Sequence, residues 1–260
     1  MVPIIYEDKD IIVVHKPAGL ESQSARGFEP DMVSELRRYF HNSQDIHNCV
    51  QGVVSTVQPP YVGVIHRLDK PVEGVMVYGR NQKSAAALSA ALQAGRMEKS
   101  YLAAVCGQPV DKQGTYVDYL RHCKENNRSE IVDKSAGNCK KAVLNYRVLE
   151  VIHSPLNQEQ LLSLIDIDLL TGRHHQIRVQ FAGHGTPLYG DERYGGNLST
   201  LSTRDVVDNV DKKRPRRGPR IPLALCARRL AFPHPVTGEQ MEFAITPDRG
   251  AFAWFPVCKS

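Results

Sequence analysis

The sequence has no C-x-x-C pair, no G-x-x-x-x-G-K-[ST], no G-x-S-x-G and no H-E-x-x-H. Without the first, its six scattered cysteines (49, 106, 123, 139, 226, 258) are neither a disulfide framework nor a zinc site. In a chain this size they read as reduced cytosolic thiols. Without the others there is no phosphate-cradling loop, no serine nucleophile elbow and no zinc helix. No window approaches the roughly 20 apolar residues of a membrane span. The first ten residues lack a basic segment followed by a long apolar run, so no signal peptide is expected and the location expected is the cytoplasm. Neither sign of charge dominates: 33 Lys and Arg stand against 28 Asp and Glu, a net +5 that suits a polyanionic partner without requiring one.

What is present is 260 residues, 42% of them hydrophobic, enough for a substantial core. The expectation is one domain over 1–260. Ile4 to Tyr6 and Ile11 to His15 flank a charged turn and predict an opening hairpin. Asp31 to Phe40 has helical spacing with Asp31 as cap, and residues 42–60 read as loop. Asn81 caps a second helix with Ala85, Leu88 and Leu92 on one face and Gly95 as its stop. Strands follow over 99–106, 142–152 and 161–170, with a polar stretch over 121–141. His174 to Ala182 fits a short helix ending at Gly183, and strands over 223–232 and 241–245 close the chain. Many strands in hairpin-like succession with few helices predict an α+β fold.

The chain is organised around Val64 to Arg80. Two apolar strands, 61–65 and 75–78, flank His66-Arg67-Leu68-Asp69-Lys70-Pro71, where Pro71 and Gly74 require a turn. Reactive side chains on a loop held by buried strands are where chemistry tends to sit. Asp69 could be a nucleophile, a general base or a metal ligand, and only a distant partner decides among these. Arg178 is the candidate: a cation within about 4–6 Å would keep the carboxylate ionised. The same spacing also fits an ordinary Arg–Asp pair that closes two loops. His66, His174, His175 and His184 invite a metal reading, but adjacent histidines on a helix diverge by about 100° and do not form an i, i+4 ligand pair. No metal is expected. Tyr101, at the start of a strand, reads by itself as core.

Residues 197–220 break the composition, ending in Lys212-Lys213-Arg214-Pro215-Arg216-Arg217-Gly218-Pro219-Arg220. This segment fits a solvated charge run and a phosphate-contacting arm equally well.

Taken together, five blocks resemble the RluA-like family of pseudouridine synthases. His66 to Gly74 is similar to that family's H-R-L-D-x-x-T-S-G, and Ile12 to Leu20 to its V-V-x-K-P-x-G. Lys99-Ser100-Tyr101 resembles K-x-Y, and Thr171 to Val179 with Gly190-Asp191 and Tyr194-Gly195 resembles T-G-R-x-H-Q-I-R-V … G-D-x-x-Y-G. Leu230 to Glu239 resembles L-x-F-x-H-P-x-T-G-E. The blocks span nearly the whole chain, in order.

The resemblance implies isomerisation of a uridine in ribosomal or transfer RNA, by cutting C1′–N1 and rejoining C1′ to C5. It implies a long, bent, mixed, mostly antiparallel sheet with flanking helices and a central cleft. Carried over by position, Asp69 is the catalytic carboxylate, Tyr101 packs on the target base and Arg178 is the ion-pair partner of Asp69. Arg67 would fill the gap left by a flipped-out uridine, with His66, Leu68, Lys99, Arg173, His175, Gln176 and Ile177 lining the substrate. No cofactor is implied, and the partner is RNA, bound by a monomer with no membrane and no metal. The pattern departs at Val72 and Glu73, which replace Thr-Ser, at His174 for Thr and at Cys226 for His. The family's frequent N-terminal S4-type domain is not expected, since the signature begins by residue 12. A non-catalytic RNA-binding module and a metal-dependent hydrolase are the rival readings.

Overall fold

The computed structural model describes residues 2–24, 30–51, 59–195 and 221–258. The basic segment 197–220 lies outside the described residues. Among the described residues, eleven strands and three α-helices make the fold α+β, as the hairpin-rich sequence predicts. The chain forms two compact units, 1–99 with 227–245 and 100–226 with 246–260. No helix among the described residues is long and apolar enough to cross a membrane.

The first unit carries β1 (Ile4–Glu7), β2 (Ile11–Lys16), α1 (Met32–Gln51), β3 (Gly63–Val64), β4 (Glu73–Gly79) and α2 (Gln82–Gln93). It is completed by most of β10 (Leu225–Pro233) and by β11 (Gln240–Ala244). The strand order is β1-β2-β4-β10, with β3 on β4 and β11 on β10. β2 and β4 pair antiparallel from Ile11↔Gly79 to Lys16↔Gly74. That register puts Ile11, Val13, Val75 and Val77 on one face, where they pack with Leu88, Met97, Leu230 and Phe232. Gly74 has φ +145, and a Cβ there would lie 2.5 Å from the Ala227 carbonyl oxygen, so glycine lets the backbones of β4 and β10 meet.

Both helices of this unit begin as expected. The Asp31 carboxylate accepts from the Ser34 N–H (2.7 Å), and the Asn81 side chain accepts from the Ser84 N–H (2.8 Å). α2 ends at Gly95, φ +69, with the Arg96 N–H bonded back to the Ala91 carbonyl, a Schellman-type stop. α1 overruns the expected loop at 42 and continues to Gln51. Its sequence from 41 to 51 is polar but contains neither glycine nor proline, so nothing breaks the hydrogen-bond ladder before Gly52. The expected strand 61–65 contracts to the two residues of β3.

The second unit holds most of β5 (Glu98–Cys106), then β6 (Gln113–Cys123), β7 (Arg128–Val132), β8 (Cys139–Ser154), β9 (Asn157–Leu169) and α3 (Gln176–Gly183). The order is β5-β9-β8-β6-β7, every pairing antiparallel. β6 and β7 have little apolar signal of their own. They are strands because β8 offers a continuous ladder from Gln113↔Arg147 to Arg121↔Cys139, on which the β6–β7 hairpin extends. α3 starts two residues later than the spacing predicts, because His175 adopts φ 53, a left-handed conformation that no helix can contain. Ile177 and Phe181 do face the core, as predicted.

Candidate active site

In the first unit the turn around Asp69 is built from alternating inward and outward residues. Leu68 and Val72 are buried, while Arg67 and Lys70 are exposed and Asp69 is half-buried between them. The Val72 N–H closes the turn on the Asp69 carbonyl at 3.0 Å. Val72 therefore replaces a hydroxyl residue at a position that is interior in this chain. Glu73, the other departure, sits 3.7 Å from His15 of β2.

One segment grips the backbone on both sides of Asp69. Before it, the Ser22 hydroxyl donates to the Leu68 carbonyl (2.8 Å) and accepts from the Leu68 N–H (2.9 Å). After it, the Lys70 carbonyl accepts from the Gly19 N–H (2.7 Å) and from Lys16 Nζ (3.4 Å). An aspartate pinned from residues 68 and 70 loses little freedom when it meets a reacting atom. Ser22 is buried, so Ser22→Ala leaves the Leu68 N–H and carbonyl without their partner. The expected result is a loss of about 1–3 kcal/mol of stability. Turnover should fall on the order of tenfold with KM for RNA little changed, by the cost of misplacing a reacting group. Paired denaturation and kinetic measurements check both.

His66 lies beside this turn, and its Nε2 accepts from the Val77 N–H at 3.3 Å. Burial, with the Lys99 cation nearby, pushes its pKa down to about 3. His66 is therefore a neutral hydrogen-bond acceptor at physiological pH. Burial also lowers the Lys99 pKa.

In the second unit Tyr101 is a buried residue of β5, paired opposite Ile167 of β9. Arg178 is 7% exposed, on the first turn of α3. Its Nε and Nη2 each donate to the Asp191 carboxylate at 2.8 Å, a two-pronged contact that fixes the plane of the guanidinium. Asp191 is itself held, accepting from the N–H groups of Arg193 (3.0 Å) and Tyr194 (3.1 Å). The Tyr194 ring lies 5.2 Å from the Arg178 guanidinium, and its oxygen accepts from the Ser129 N–H (2.8 Å). The same hydroxyl shares a hydrogen bond with His175 Nδ1 (2.8 Å). Burial first, then the Arg178 charge, drives the His175 pKa down to about 2, so this histidine is a fixed neutral link. The left-handed turn at His175 also stacks its ring on His174, centroids 3.7 Å apart, where helical geometry predicts divergence.

Gln176 spends its amide on the chain: its oxygen accepts from the Thr171 hydroxyl (2.8 Å) and the Arg173 N–H (3.0 Å), and its nitrogen donates to the Val143 carbonyl (3.1 Å). With buried Ile177 it belongs to the support that presents Arg173 and Arg178. Arg173 is exposed, its Nε donating to the Lys141 carbonyl (2.9 Å). The sequence reading missed three supporting residues: Lys16, Ser22 and Asp191. Asp191 stood within a matched block, and Lys16 in another; nothing in the pattern singled out Ser22.

A group that sequence did not bring together is Asp8, Asp10 and His234, whose ligand-type atoms lie within 4.8 Å of one another. His234 Nδ1 accepts from the Thr237 N–H (3.1 Å), which places the ring proton on Nε2, where it is given to Asp8 (3.0 Å). That nitrogen has no lone pair to offer a cation. Asp8 also accepts from the N–H groups of Asp10 (2.7 Å) and Ile11 (2.8 Å), so the group braces the β1–β2 turn.

Residues 10–183 match the RNA pseudouridylate synthase family model, and the chain belongs to that family. It is accordingly an isomerase, an RNA pseudouridine synthase. Among its relatives is the ribosomal large subunit pseudouridine synthase D of Pseudomonas aeruginosa, 34% identical over 255 residues, covering 96% of this chain and 69% of that protein. The synthase D of Zymomonas mobilis is 31% identical, covering 92% of this chain and 67% of that one. The fold is shared with human RNA Pseudouridylate Synthase Domain Containing 1, at a TM-score of 0.68 and 22% identity over 95% of this chain and 84% of that one.

Proposed function

We propose that this synthase isomerises a specific uridine of ribosomal RNA, with Asp69 as the catalytic carboxylate and its two units working as one catalytic domain. The observation that carries the reading is the grip of residues 16–22 on the backbone at 68 and 70, which holds one acidic side chain in a loop otherwise rich in cations. The choice of ribosomal RNA rests on the relatives named as large-subunit enzymes.

A uridine inside a helix must leave its stack to be reached, at a cost of a few kcal/mol. Tyr101 is proposed to pack on the extruded base and Arg67 to occupy the gap; aromatic and guanidinium surfaces both replace lost stacking. The family pattern pairs Arg178 with Asp69, and we adopt that pairing, with Asp191 setting the plane of the guanidinium. His66, Leu68, Lys99, Arg173 and His175 complete the proposed surroundings, with Gln176 and Ile177 as support. Isomerisation is redox-neutral, and each of these residues binds, orients or carries charge without a cofactor.

The test is release of the C5 hydrogen from labelled uridine in large-subunit ribosomal RNA, with transfer RNA alongside. The expected result is release from the ribosomal RNA, saturating at one or a few sites. Release from transfer RNA alone overturns the ribosomal assignment, and equal release by Asp69→Ala overturns the mechanism.

A further inference from the structure

Three imidazole rings form a column in the second unit. The His174 ring lies 3.7 Å from that of His175 and 4.1 Å from that of His122, centroid to centroid. His175 caps the start of α3, His174 precedes it, and His122 comes from β6, directly opposite Ser129 of β7. Each ring is held. The Ser129 hydroxyl donates to the His174 carbonyl (2.8 Å), so in its contact with His174 Nδ1 (2.9 Å) it accepts. His175 Nδ1 shares a hydrogen bond with the Tyr194 hydroxyl (2.8 Å), and His122 Nε2 donates to the Asn127 side-chain oxygen (3.3 Å). The family pattern has threonine at 174, which has no ring to stack, so the column is not part of the shared pattern.

One end of the column is buried and the other open. His175 is buried, His174 half-buried and His122 exposed. One face of the His122 ring is spent on His174, and its exposure leaves room beyond the other. At the buried end the column leads to the proposed site: the Tyr194 ring stands edge-on to His175 at 5.6 Å and 5.2 Å from the Arg178 guanidinium. At the open end the β6–β7 tip is fixed to the 191–195 turn by crossed bonds, Arg128 donating to the Arg193 carbonyl and Arg193 to the Asn127 carbonyl. On this tip and turn the exposed cations Lys124, Arg128 and Arg193 outnumber the exposed Glu125 and Glu192. A flat ring presented among cations suits a base with its phosphates alongside.

We propose that His122 binds the RNA substrate by stacking an unpaired nucleobase on its open imidazole face, lengthening the His122–His174–His175 column by one ring. The inference rests on the reading of this synthase as acting on ribosomal RNA, and it extends that reading to a nucleotide other than the target uridine. Histidine is among the side chains on which unstacked RNA bases lie. Every base has a π-face, so such a contact adds affinity with little sequence preference. The three rings are stacked and hydrogen-bonded before RNA arrives, so little freedom is lost when the base docks. A base held away from the reacting atoms is bound equally in the ground state and the transition state. Its loss therefore raises KM and leaves kcat alone. A histidine that met a phosphate instead would act through charge, and the salt dependence of binding would register it.

The experiment measures affinity for large-subunit ribosomal RNA, its salt dependence and C5-hydrogen release for the wild type, His122→Ala and His122→Phe, with melting curves for each. His122→Ala is expected to lose on the order of tenfold in affinity and to raise KM by the same factor, with kcat unchanged. His122→Phe keeps a flat ring and carries no charge, and is expected to bind within about threefold of the wild type. The slope of log affinity against log salt should be the same in all three proteins. Wild-type affinity in His122→Ala overturns the proposal. So does a His122→Phe as weak as the alanine variant, or a salt slope shallower by about one, the mark of a lost phosphate contact. If His122→Ala is unfolded at the assay temperature, His122→Leu takes its place: leucine fills the space without a ring, and affinity equal to that of His122→Phe overturns the proposal. Asp69→Ala separates the two readings. If it abolishes release while His122→Ala binds and turns over as the wild type does, only the stacking role fails.

Discussion

Asp69→Asn should abolish pseudouridine formation while leaving the protein folded and able to bind RNA. Asparagine has the shape of aspartate and keeps the Val72 N–H to residue 69 carbonyl bond that closes the turn. Leu68 and Val72 still anchor it. What disappears is the negative charge and the nucleophilic or basic oxygen, and no other carboxylate is held in this turn. Removing a group that acts on the reacting atoms costs on the order of a thousandfold or more in turnover. RNA affinity should stay within a few-fold, since most of it comes from cationic contacts to phosphates. Single-turnover release of the C5 hydrogen, together with RNA binding at fixed salt, checks both halves. Residual turnover within tenfold of the wild type would sink Asp69 as the catalytic carboxylate.

Asp191→Ala should be the most destabilising single change near the site. Asp191 is 1% exposed and takes two N–H groups from Arg178, along with the backbone N–H groups of 193 and 194. Its removal strips a buried guanidinium of that carboxylate and leaves two main-chain donors unsatisfied. Breaking a buried pair on one side costs about 3–5 kcal/mol. For a chain of this size that is a fall in Tm on the order of 10 °C. Activity should drop as well, because the guanidinium is no longer fixed in plane. A double-mutant cycle with Arg178→Met isolates the pair: the double variant should be more stable than the sum of the single losses predicts, and strict additivity would deny the coupling.

The segments that were legible are those in which local chemistry and tertiary context agree. β2 and β4 are apolar runs, and α2 carries its own cap and its own stop, so period and punctuation identify them. β6 and β7 were not legible, because their ladder bonds come from strand β8 and their side chains are largely exposed or half-buried. The same holds for the start of α3, where the backbone at His175 departs from what spacing predicts. The stacking of His174 on His175 follows from that one dihedral angle.

By itself the sequence determined the family, the loop that carries Asp69, and the blocks holding Tyr101 and Arg178, because each is written in contiguous residues. Only the tertiary structure decided what steadies them. The Ser22–Leu68 bonds join residues 46 apart in the chain, the Lys16–Lys70 bond residues 54 apart, and Arg178 meets Asp191 across 13. Hydrogen bonds of that kind leave no periodic trace. They form when packing of β2 against β4 and of the 191–195 turn against α3 brings donor and acceptor within 3 Å or so, and that distance is a property of the folded chain alone.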